Sequence, residues 1–254
     1  MTNSEPAPLR PFLARLLRHS ALDEVEQAAI MKLPGIVAEV GTHRDIVRLG
    51  DKVKHACLVL SGIVGRFSQD RVGRRQMAAI HLRGDMADLH SVVVPQATST
   101  LQALSAATIL HVPHGEIVTL ARTYPAIADA FWRDCVVDAA IMAEWLTSMS
   151  LRSANSRTAH LFLEVAWRLG IAAGERPVSY DFPITQERLG ELLGLTGVHV
   201  NRTLKALRTH EVLDFHHGKV SIIDWEKAAQ LADFDPAYLE AASHRLPAGR
   251  SRRG

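Results

Sequence analysis

The stretch that decides the fold covers residues 182–224 and reads FPITQERLGELLGLTGVHVNRTLKALRTHEVLDFHHGKVSIID. Thr185 is a suitable N-cap for a first short helix, and Gly194 suits the left-handed residue that ends it. Thr196 then caps a second helix over 197–210. Apolar side chains on both helices would hold them at a steep angle: Leu189, Leu192, Leu193, Leu195, Val200, Leu204 and Leu207. Two helices joined by a short turn with glycine are typical of a helix-turn-helix.

The second helix leaves a polar face outside its apolar stripe, with basic residues and no acid. Side chains near the start of a helix in the major groove reach base edges, where Arg pairs with guanine and Asn with adenine. Helix N-termini also donate N–H groups to phosphates. We therefore predict contacts with double-stranded DNA from Thr185, Thr196, Gly197, Val198, His199, Asn201, Arg202, Lys205 and Arg208. Charge alone does not separate this helix from a solvated surface helix.

A β-hairpin is predicted directly after the second helix. Short apolar runs at 212–215 and 220–223 flank the turn 216–219, which contains a glycine. Such a hairpin makes the domain winged, with Lys219 and His217 at the tip, near the DNA backbone. The His216-His217 pair is read as an exposed turn rather than a metal site, and no metal site is predicted.

The N-terminal half has a different pattern. Apolar spacing predicts helices over residues 9–32, with the second one starting after Ser20, and Pro34-Gly35 then breaks the pattern. Runs rich in Val, Ile and Thr follow, separated by turn signals, at 37–40, 45–48, 56–61, 63–68, 76–81, 98–105 and 108–112. Many short strands at this spacing predict a β-sandwich or barrel.

One long helix without Gly or Pro is predicted over 126–149. Residues at heptad spacing along it form a seam, and we predict that this seam is a homodimer interface: Phe131, Cys135, Asp138, Met142, Trp145 and Met149. Apolar residues on other faces widen the surface, so the helix must bury more than one side. A core helix of a monomer is the alternative.

Composition excludes several classes of protein. The 254 residues have a net charge of +2, so a charge-driven nucleic-acid tail protein is excluded, but a local basic face is not. No apolar run is long enough to span a bilayer, no signal peptide is evident, and the two cysteines cannot form a metal or iron–sulfur site alone. We expect a cytoplasmic protein without cofactor. Enzyme motifs such as a P-loop, G-x-S-x-G or HExxH are absent from the sequence.

The chain resembles the superfamily of the cyclic-AMP receptor protein and the fumarate–nitrate reduction regulator over roughly residues 10–240. The most specific part is 184–239, above all VHVNRTLKALR at 198–208. Turns at Leu49-Gly50-Asp51, Ser61-Gly62 and Arg83-Gly84-Asp85 match the glycine turns of the family's β-roll.

This resemblance implies an α+β fold with an N-terminal β-roll, which is jelly-roll-like and has a sensor role. A long dimerisation helix and a C-terminal winged helix-turn-helix follow. The implied domains are 1–125, 126–150 and 151–240, with a flexible tail over 241–254. It also implies a homodimeric transcription regulator with a near-palindromic operator and with RNA polymerase as a partner.

Residue by residue, the resemblance places Arg202 on the family's base-reading arginine. Val198 stands where the best-known members have a glutamate, and Gly197 stands where the cyclic-AMP receptor has another arginine. A valine can touch a thymine methyl but cannot accept a hydrogen bond from cytosine. The half-site sequence is therefore expected to differ.

The effector side departs from the family as well. The family's cyclic-nucleotide pocket uses a Gly-Glu pair and an Arg–Ser/Thr pair, whereas the matching positions here include Asp88, Ser99 and Thr100. Without an arginine in this region, and with Asp88 repelling a phosphate, we predict no cyclic-nucleotide binding. A haem or other small-molecule sensor remains an alternative, since several histidines lie in or just after the β-roll: His55, His81, His90, His111 and His114.

Overall fold

The computed structural model describes residues 8–171 and 177–240. Its N-terminal part contains α1 (Arg10–Leu16), α2 (Glu24–Ile30), β1 (Ile36–Val40), β2 (Asp45–Val47), β3 (His55–Ser61), β4 (Val64–Gln69), β5 (Arg75–His81), a 3₁₀ turn (Leu89–Val92), β6 (Thr100–Ala103), β7 (Ala107–Pro113) and α3 (His114–Thr123). The C-terminal part contains α4 (Pro125–Leu151), α5 (Ala154–Arg168), β8 (Val178–Asp181), α6 (Gln186–Leu193), α7 (Gly197–Thr209), β9 (Leu213–His216), β10 (Lys219–Ile222), α8 (Trp225–Ala232) and a 3₁₀ turn (Pro236–Leu239). The predicted tail, 241–254, lies outside the described residues.

Two antiparallel sheets form the β-roll, in the orders β1-β7-β3 and β2-β6-β4-β5. A buried apolar core lies between them, formed by Val47, Cys57, Val59, Val64, Ala87, Leu101, Ala103, Ala107 and Ile109. The turn from β3 to β4 needs a glycine, because Gly62 has a φ of 78° and a Cβ there would lie 2.3 Å from the Ala106 carbonyl oxygen. The strands predicted for this part of the chain are present, and their two sheets form a β-roll.

The N-terminal helices cover one side of the roll. Phe12, Leu16 and Ile30 are buried against Leu58 and Leu110 of β3 and β7. The second helix, predicted after Ser20, begins at Glu24. Asp23 is the N-cap, and it forms a capping box in which Asp23 Oδ1 accepts from the Glu26 N–H and Glu26 accepts from the Asp23 N–H.

The C-terminal part has a three-stranded sheet in the order β8-β10-β9, surrounded by α5 to α8. Three of its elements were not predicted: β8, α8 and the 3₁₀ turn Pro236–Leu239. The strand β8 is four residues long and carries no distinctive turn signal, and α8 is capped by Asp224 after the hairpin. No helix in residues 8–171 or 177–240 has the length and apolarity needed to cross a bilayer.

The C-terminal part is not separated from the β-roll of the same chain. Phe67, Met77 and Ile80 of the roll share one buried core with Phe162 of α5 and Leu189 of α6. Consequently α5 and α6 dock on β4 and β5, and this contact fixes where the helix-turn-helix points.

Candidate nucleic-acid interface and effector cavity

The predicted caps of the helix-turn-helix are present. Thr185 Oγ1 accepts from the Arg188 N–H at 3.2 Å, and Thr196 Oγ1 accepts from the His199 N–H at 3.4 Å. Gly194 has a φ of 64°, the left-handed conformation that ends α6. Because Gly190 has no Cβ, which would lie 2.7 Å from the Leu195 carbonyl oxygen, the chain can turn tightly here.

One face of α7 is open to solvent. Val200, Thr203, Leu204 and Leu207 are buried against the rest of the domain. The opposite face presents Val198, Arg202 and Lys205, and Val198 is 82% exposed. Thr185, Thr196 and Gly197 are also exposed, whereas His199 is half-buried.

Two of the predicted DNA contacts are engaged within the chain. The Asn201 amide donates from Nδ2 to the Gly197 carbonyl at 3.1 Å. Arg208 is paired with Asp214 of β9, with Nε at 2.8 Å from Oδ1. An arginine held by a carboxylate is a weaker phosphate ligand than a free one, so Arg202 and Lys205 carry most of the positive charge that this face offers to DNA.

The wing turns over two residues. His217 and Gly218 have φ values of 49° and 70°, which match the right-handed twist of a tight hairpin. Lys219 is exposed beside this turn. The rings of His216 and His217 lie 3.9 Å apart. No group of three or more metal-ligating side chains occurs anywhere in the described part of the chain.

Arg157 of α5 anchors the helix-turn-helix to the end of α4, and its role was not predicted. Its guanidinium donates to the Leu193 carbonyl at 2.6 Å, which satisfies the C-terminus of α6. The same group donates to the carbonyls of Met149 and Arg152. The position of α6 therefore depends directly on the last turn of α4.

A buried ion network joins α1, the roll, α4 and α5. Arg15 of α1 contacts Asp85 at 2.6 Å, Asp134 at 2.5 Å and Asp138 at 2.6 Å. The second oxygen of Asp85 lies 2.5 Å from Arg168 of α5. Burial opposes ionisation of Asp85, but Arg15 and Arg168 outweigh it and lower the pKa of that carboxyl.

The same network extends to the C-terminal end of the described chain through Glu164, which is fully buried on α5. Its carboxylate accepts from Trp145 Nε1 at 3.0 Å and from the Tyr238 hydroxyl at 2.8 Å, and Arg168 lies 3.1 Å away. No local pattern in the sequence reveals this role of Glu164, because Trp145 and Tyr238 lie on other elements of the fold.

The structure places the predicted dimer seam differently. Phe131 is 7% exposed and lies against Phe12, with ring centroids 6.0 Å apart, while Asp138 and Trp145 bond within the chain. Cys135 is half-buried, and burial raises its pKa to about 11, whereas Met142 and Met149 are exposed. The predicted seam therefore does not form one free face, because α1 and α5 already occupy much of it. The exposed stripe lies about one residue further round the helix and consists of Trp132, Val136, Ala139, Ala143 and Leu146.

The predicted effector residues lie inside the roll. Asp88 is 4% exposed; its Oδ1 accepts from the Cys57 N–H at 2.6 Å, and its Oδ2 has no partner among the described residues. Thr100 accepts from the Leu49 N–H at 3.2 Å. Ser99 accepts from Arg66 at 2.8 Å. The expectation that no arginine reaches this region was wrong, because β4 pairs with β6 and brings Arg66 beside Ser99.

A cavity of about 340 Å³ lies between the roll and α4. Arg66, His81 and Ser99 line its wall on the roll, and α4 and α5 contribute Asp138 and Arg168. His81 is 3% exposed, and within residues 8–171 and 177–240 neither of its ring nitrogens has a hydrogen-bond partner. Burial, reinforced by Arg66, lowers the pKa of His81 well below its usual range, so the imidazole is neutral.

Comparison with known proteins agrees with this geometry. A family model described as a cyclic nucleotide-binding domain matches residues 39–124, and one described as a Crp-like helix-turn-helix domain matches residues 156–231. Together they account for the roll and the DNA-binding part, in the order that the structure shows. The chain belongs to the CRP/FNR superfamily.

Relatives of the superfamily match along most of the chain. The fumarate and nitrate reduction regulatory protein of Vibrio cholerae is 22% identical over 216 residues, covering 85% of this chain and 84% of that protein. The protein of the same name from Escherichia coli K12 is 21% identical over the same coverage.

Solved structures of the superfamily share the fold. FixK2 from Bradyrhizobium japonicum has a TM-score of 0.67 at 20% identity, over 78% of this chain and 98% of that one. A CRP/FNR-family transcriptional regulator from Thermus thermophilus has a TM-score of 0.55 at 15% identity, over 78% and 99%. The superfamily consists of transcription regulators rather than enzymes, and this chain is a DNA-binding regulator of that type.

Proposed function

We propose that this CRP/FNR regulator works as a homodimer on a near-palindromic operator, and that a ligand other than a cyclic nucleotide gates its binding. The observation that carries the proposal is a pair of exposed surfaces on one chain: the polar face of α7 and the apolar stripe of α4. Such a regulator would act in the cytoplasm, and we infer RNA polymerase as its partner from the superfamily.

A second copy of the chain is the simplest partner for α4. Trp132 and Leu146 are 67% and 70% exposed, which is unusual for large apolar side chains on a helix that otherwise faces a core. A two-fold axis along α4 would bring the same stripe from each copy together. Arg157 and Leu193 connect the end of α4 to α6, so the geometry of this helix pair would set the spacing of the two α7 helices.

Specific DNA contacts would come from the exposed face of α7. Arg202 is the base-reading candidate, Val198 is suited to a thymine methyl, and Lys205 lies one turn further towards the phosphates. Thr185, Thr196 and Lys219 would contact the backbone from the helix starts and the wing. Gly197, His199, Asn201 and Arg208 complete the predicted set, the last of these only after it leaves Asp214.

Independence from cyclic nucleotides is supported by the interior of the roll. Asp88 places a carboxyl group in the same small pocket as Ser99 and Arg66, where the superfamily's pocket would hold a cyclic phosphate, so it would compete with that phosphate for the arginine. Haem is the alternative ligand. A cavity of about 340 Å³ is at the small end of the ~300–1,000 Å³ range of ligand pockets, which favours a small molecule.

A genomic selection with the purified protein, followed by gel shifts, tests the DNA part. We expect two half-sites about 10–10.5 base pairs apart, centre to centre. Arg202→Ala should lose about 1–3 kcal/mol of specific binding while the protein stays folded. Arg83→Ala is the matched control, because Arg83 is exposed on the roll and far along the chain from α7. Selection of asymmetric, unrepeated sites would contradict the proposal.

The oligomeric state tests the role of α4. Light scattering after gel filtration should give twice the chain mass, and Leu146→Glu should shift the protein towards the monomer because it places a charge in an apolar interface. Val25→Glu is the control, since Val25 is 63% exposed on α2 and not on α4. If the two variants behave alike, α4 is not the interface.

Titration with cyclic AMP tests the effector part of the proposal. Calorimetry and operator gel shifts should show no response to it. A saturable heat signal, together with a change in operator affinity, would refute cyclic-nucleotide independence.

A further inference from the structure

We propose that the cavity between the roll and α4 binds a small monocarboxylic acid with an apolar body, held by Arg66 and His81. This inference rests on the proposed gating by a ligand in the β-roll and specifies the chemical class of that ligand. The carboxylate would lie on the roll side, and the apolar body would face Leu89, Ile141 and Met142.

Arg66 is the first reason. It is 9% exposed, and no carboxylate of the described residues lies within ion-pair distance of it. Within the same residues it bonds to Ser99 Oγ and to the Ala87 carbonyl, which use two of the five N–H donors of a guanidinium. The carboxylates of Asp138 and Asp88 attract the guanidinium from beyond ion-pair distance and offset part of the cost of burying its charge. They leave its remaining N–H donors open to an anionic ligand.

His81 is the second and independent reason. Its ring lies in the wall of the same cavity, is 3% exposed, and has no hydrogen-bond partner on either nitrogen in the part of the chain that the structure describes. A neutral imidazole has one N–H donor and one acceptor nitrogen. A carboxylate that bridges Arg66 and His81 would satisfy the donor of the imidazole and the charge of the guanidinium together.

The other residues that line the cavity narrow the chemical class of the ligand. Asp138 lies in the cavity wall with one oxygen on Arg15, and it would repel a second negative charge such as that of a phosphate dianion. Leu89, Ile141 and Met142 also line the cavity and give it apolar surface. A single carboxylate on a small aliphatic or aromatic body fits both constraints. Inorganic phosphate has no apolar body, and a cyclic nucleotide, although singly charged, carries a polar ribose and a polar base.

The cavity also touches the two elements that would transmit binding. Arg168 of α5 lines it and bonds to Asp85, and Met142 of α4 lines it and is exposed beside the apolar stripe. A ligand here would therefore contact the helix that precedes the helix-turn-helix and the proposed dimer helix at once.

Calorimetric titration of the full-length protein with benzoate, hexanoate, acetate, inorganic phosphate and cyclic AMP tests the proposal. We expect benzoate or hexanoate to bind once per chain, acetate to bind more weakly, and the last two not to bind. Arg66→Gln should weaken binding by about tenfold or more, because a charge-assisted bond is lost. Arg75→Gln, a change at an exposed arginine of the same roll, should leave the affinity unchanged.

Circular dichroism checks that each variant folds. If Arg66→Gln does not fold, His81→Gln decides, since it keeps a polar side chain of similar size and should also weaken binding. Absence of carboxylate binding, or affinities that neither variant changes, would overturn the inference. Operator gel shifts on the same samples separate the two proposals: intact operator binding without carboxylate binding would overturn this inference alone.

Discussion

Replacing Asp85 with Asn should destabilise the protein strongly. Asp85 is 4% exposed, and its two oxygens face Arg15 at 2.6 Å and Arg168 at 2.5 Å. Oδ2 also accepts from the Leu82 N–H at 2.7 Å. Asn keeps the volume but removes the charge, and its NH₂ group would point a donor at a guanidinium, which has only donors.

The size of the stability loss follows from the burial of the Asp85 ion pairs. Two opposite charges about 4 Å apart attract by about 4 kcal/mol at an effective dielectric constant of 20. The cost of burying the ions offsets much of the attraction in the two pairs. Removing one partner, however, leaves the opposite charge buried and unpaired, which costs about 3–5 kcal/mol of stability. For a chain of this size, that corresponds to a fall in Tm of about 6–20 °C.

Urea unfolding followed by circular dichroism measures this loss. Asp70→Asn is the matched control, because Asp70 lies 2.6 Å from Arg74 but in an exposed turn, where water screens the pair. Asp85→Asn should shift the unfolding midpoint far more than Asp70→Asn does. Equal shifts, or a loss below about 1 kcal/mol for Asp85→Asn, would refute the network as the structural link between α1 and α5.

Three further predictions concern the DNA-binding part. Gly194→Ala should cost about 1–2 kcal/mol in urea unfolding because its left-handed φ strains alanine, whereas Gly197→Ala, with open space around it, should not. Burial lowers the pKa of His160 to about 3, so between pH 6.5 and 3 only the unfolded state takes up this proton and the protein loses stability as the pH falls. His160→Phe should therefore reduce the dependence of the unfolding free energy on pH in this range. An unchanged pH dependence would contradict this. Asp214→Asn should release Arg208 and steepen the salt dependence of DNA binding by about one unit of log K per log salt, and an equal slope would exclude a phosphate contact.

Local signals explain why the helix-turn-helix and wing could be read without the structure. Thr185, Gly194 and Thr196 act through their own backbone and the next few residues, so caps and turns are encoded where they occur. The hairpin is set in the same way by His217-Gly218, whose positive φ values define the turn.

Contacts between distant parts of the chain could not be read in this way. Arg15 and Asp138 are 123 residues apart, and Arg66 meets Ser99 only because β4 pairs with β6. No spacing rule connects such positions, which is why the ion network, the anchoring role of Arg157 and the cavity at His81 were missed.

The long helix α4 shows most clearly what the sequence determines and what the tertiary structure decides. Its periodicity determined by itself that α4 is one continuous helix with more apolar surface than a single core contact would bury. Tertiary structure decided which part of that surface stays free: α1 covers Phe131, α5 holds Trp145, and Trp132 and Leu146 remain exposed. The physical reason is that a 3.6-residue period fixes the angles between side chains around the helix, while the neighbours that occupy each angle come from elsewhere in the chain.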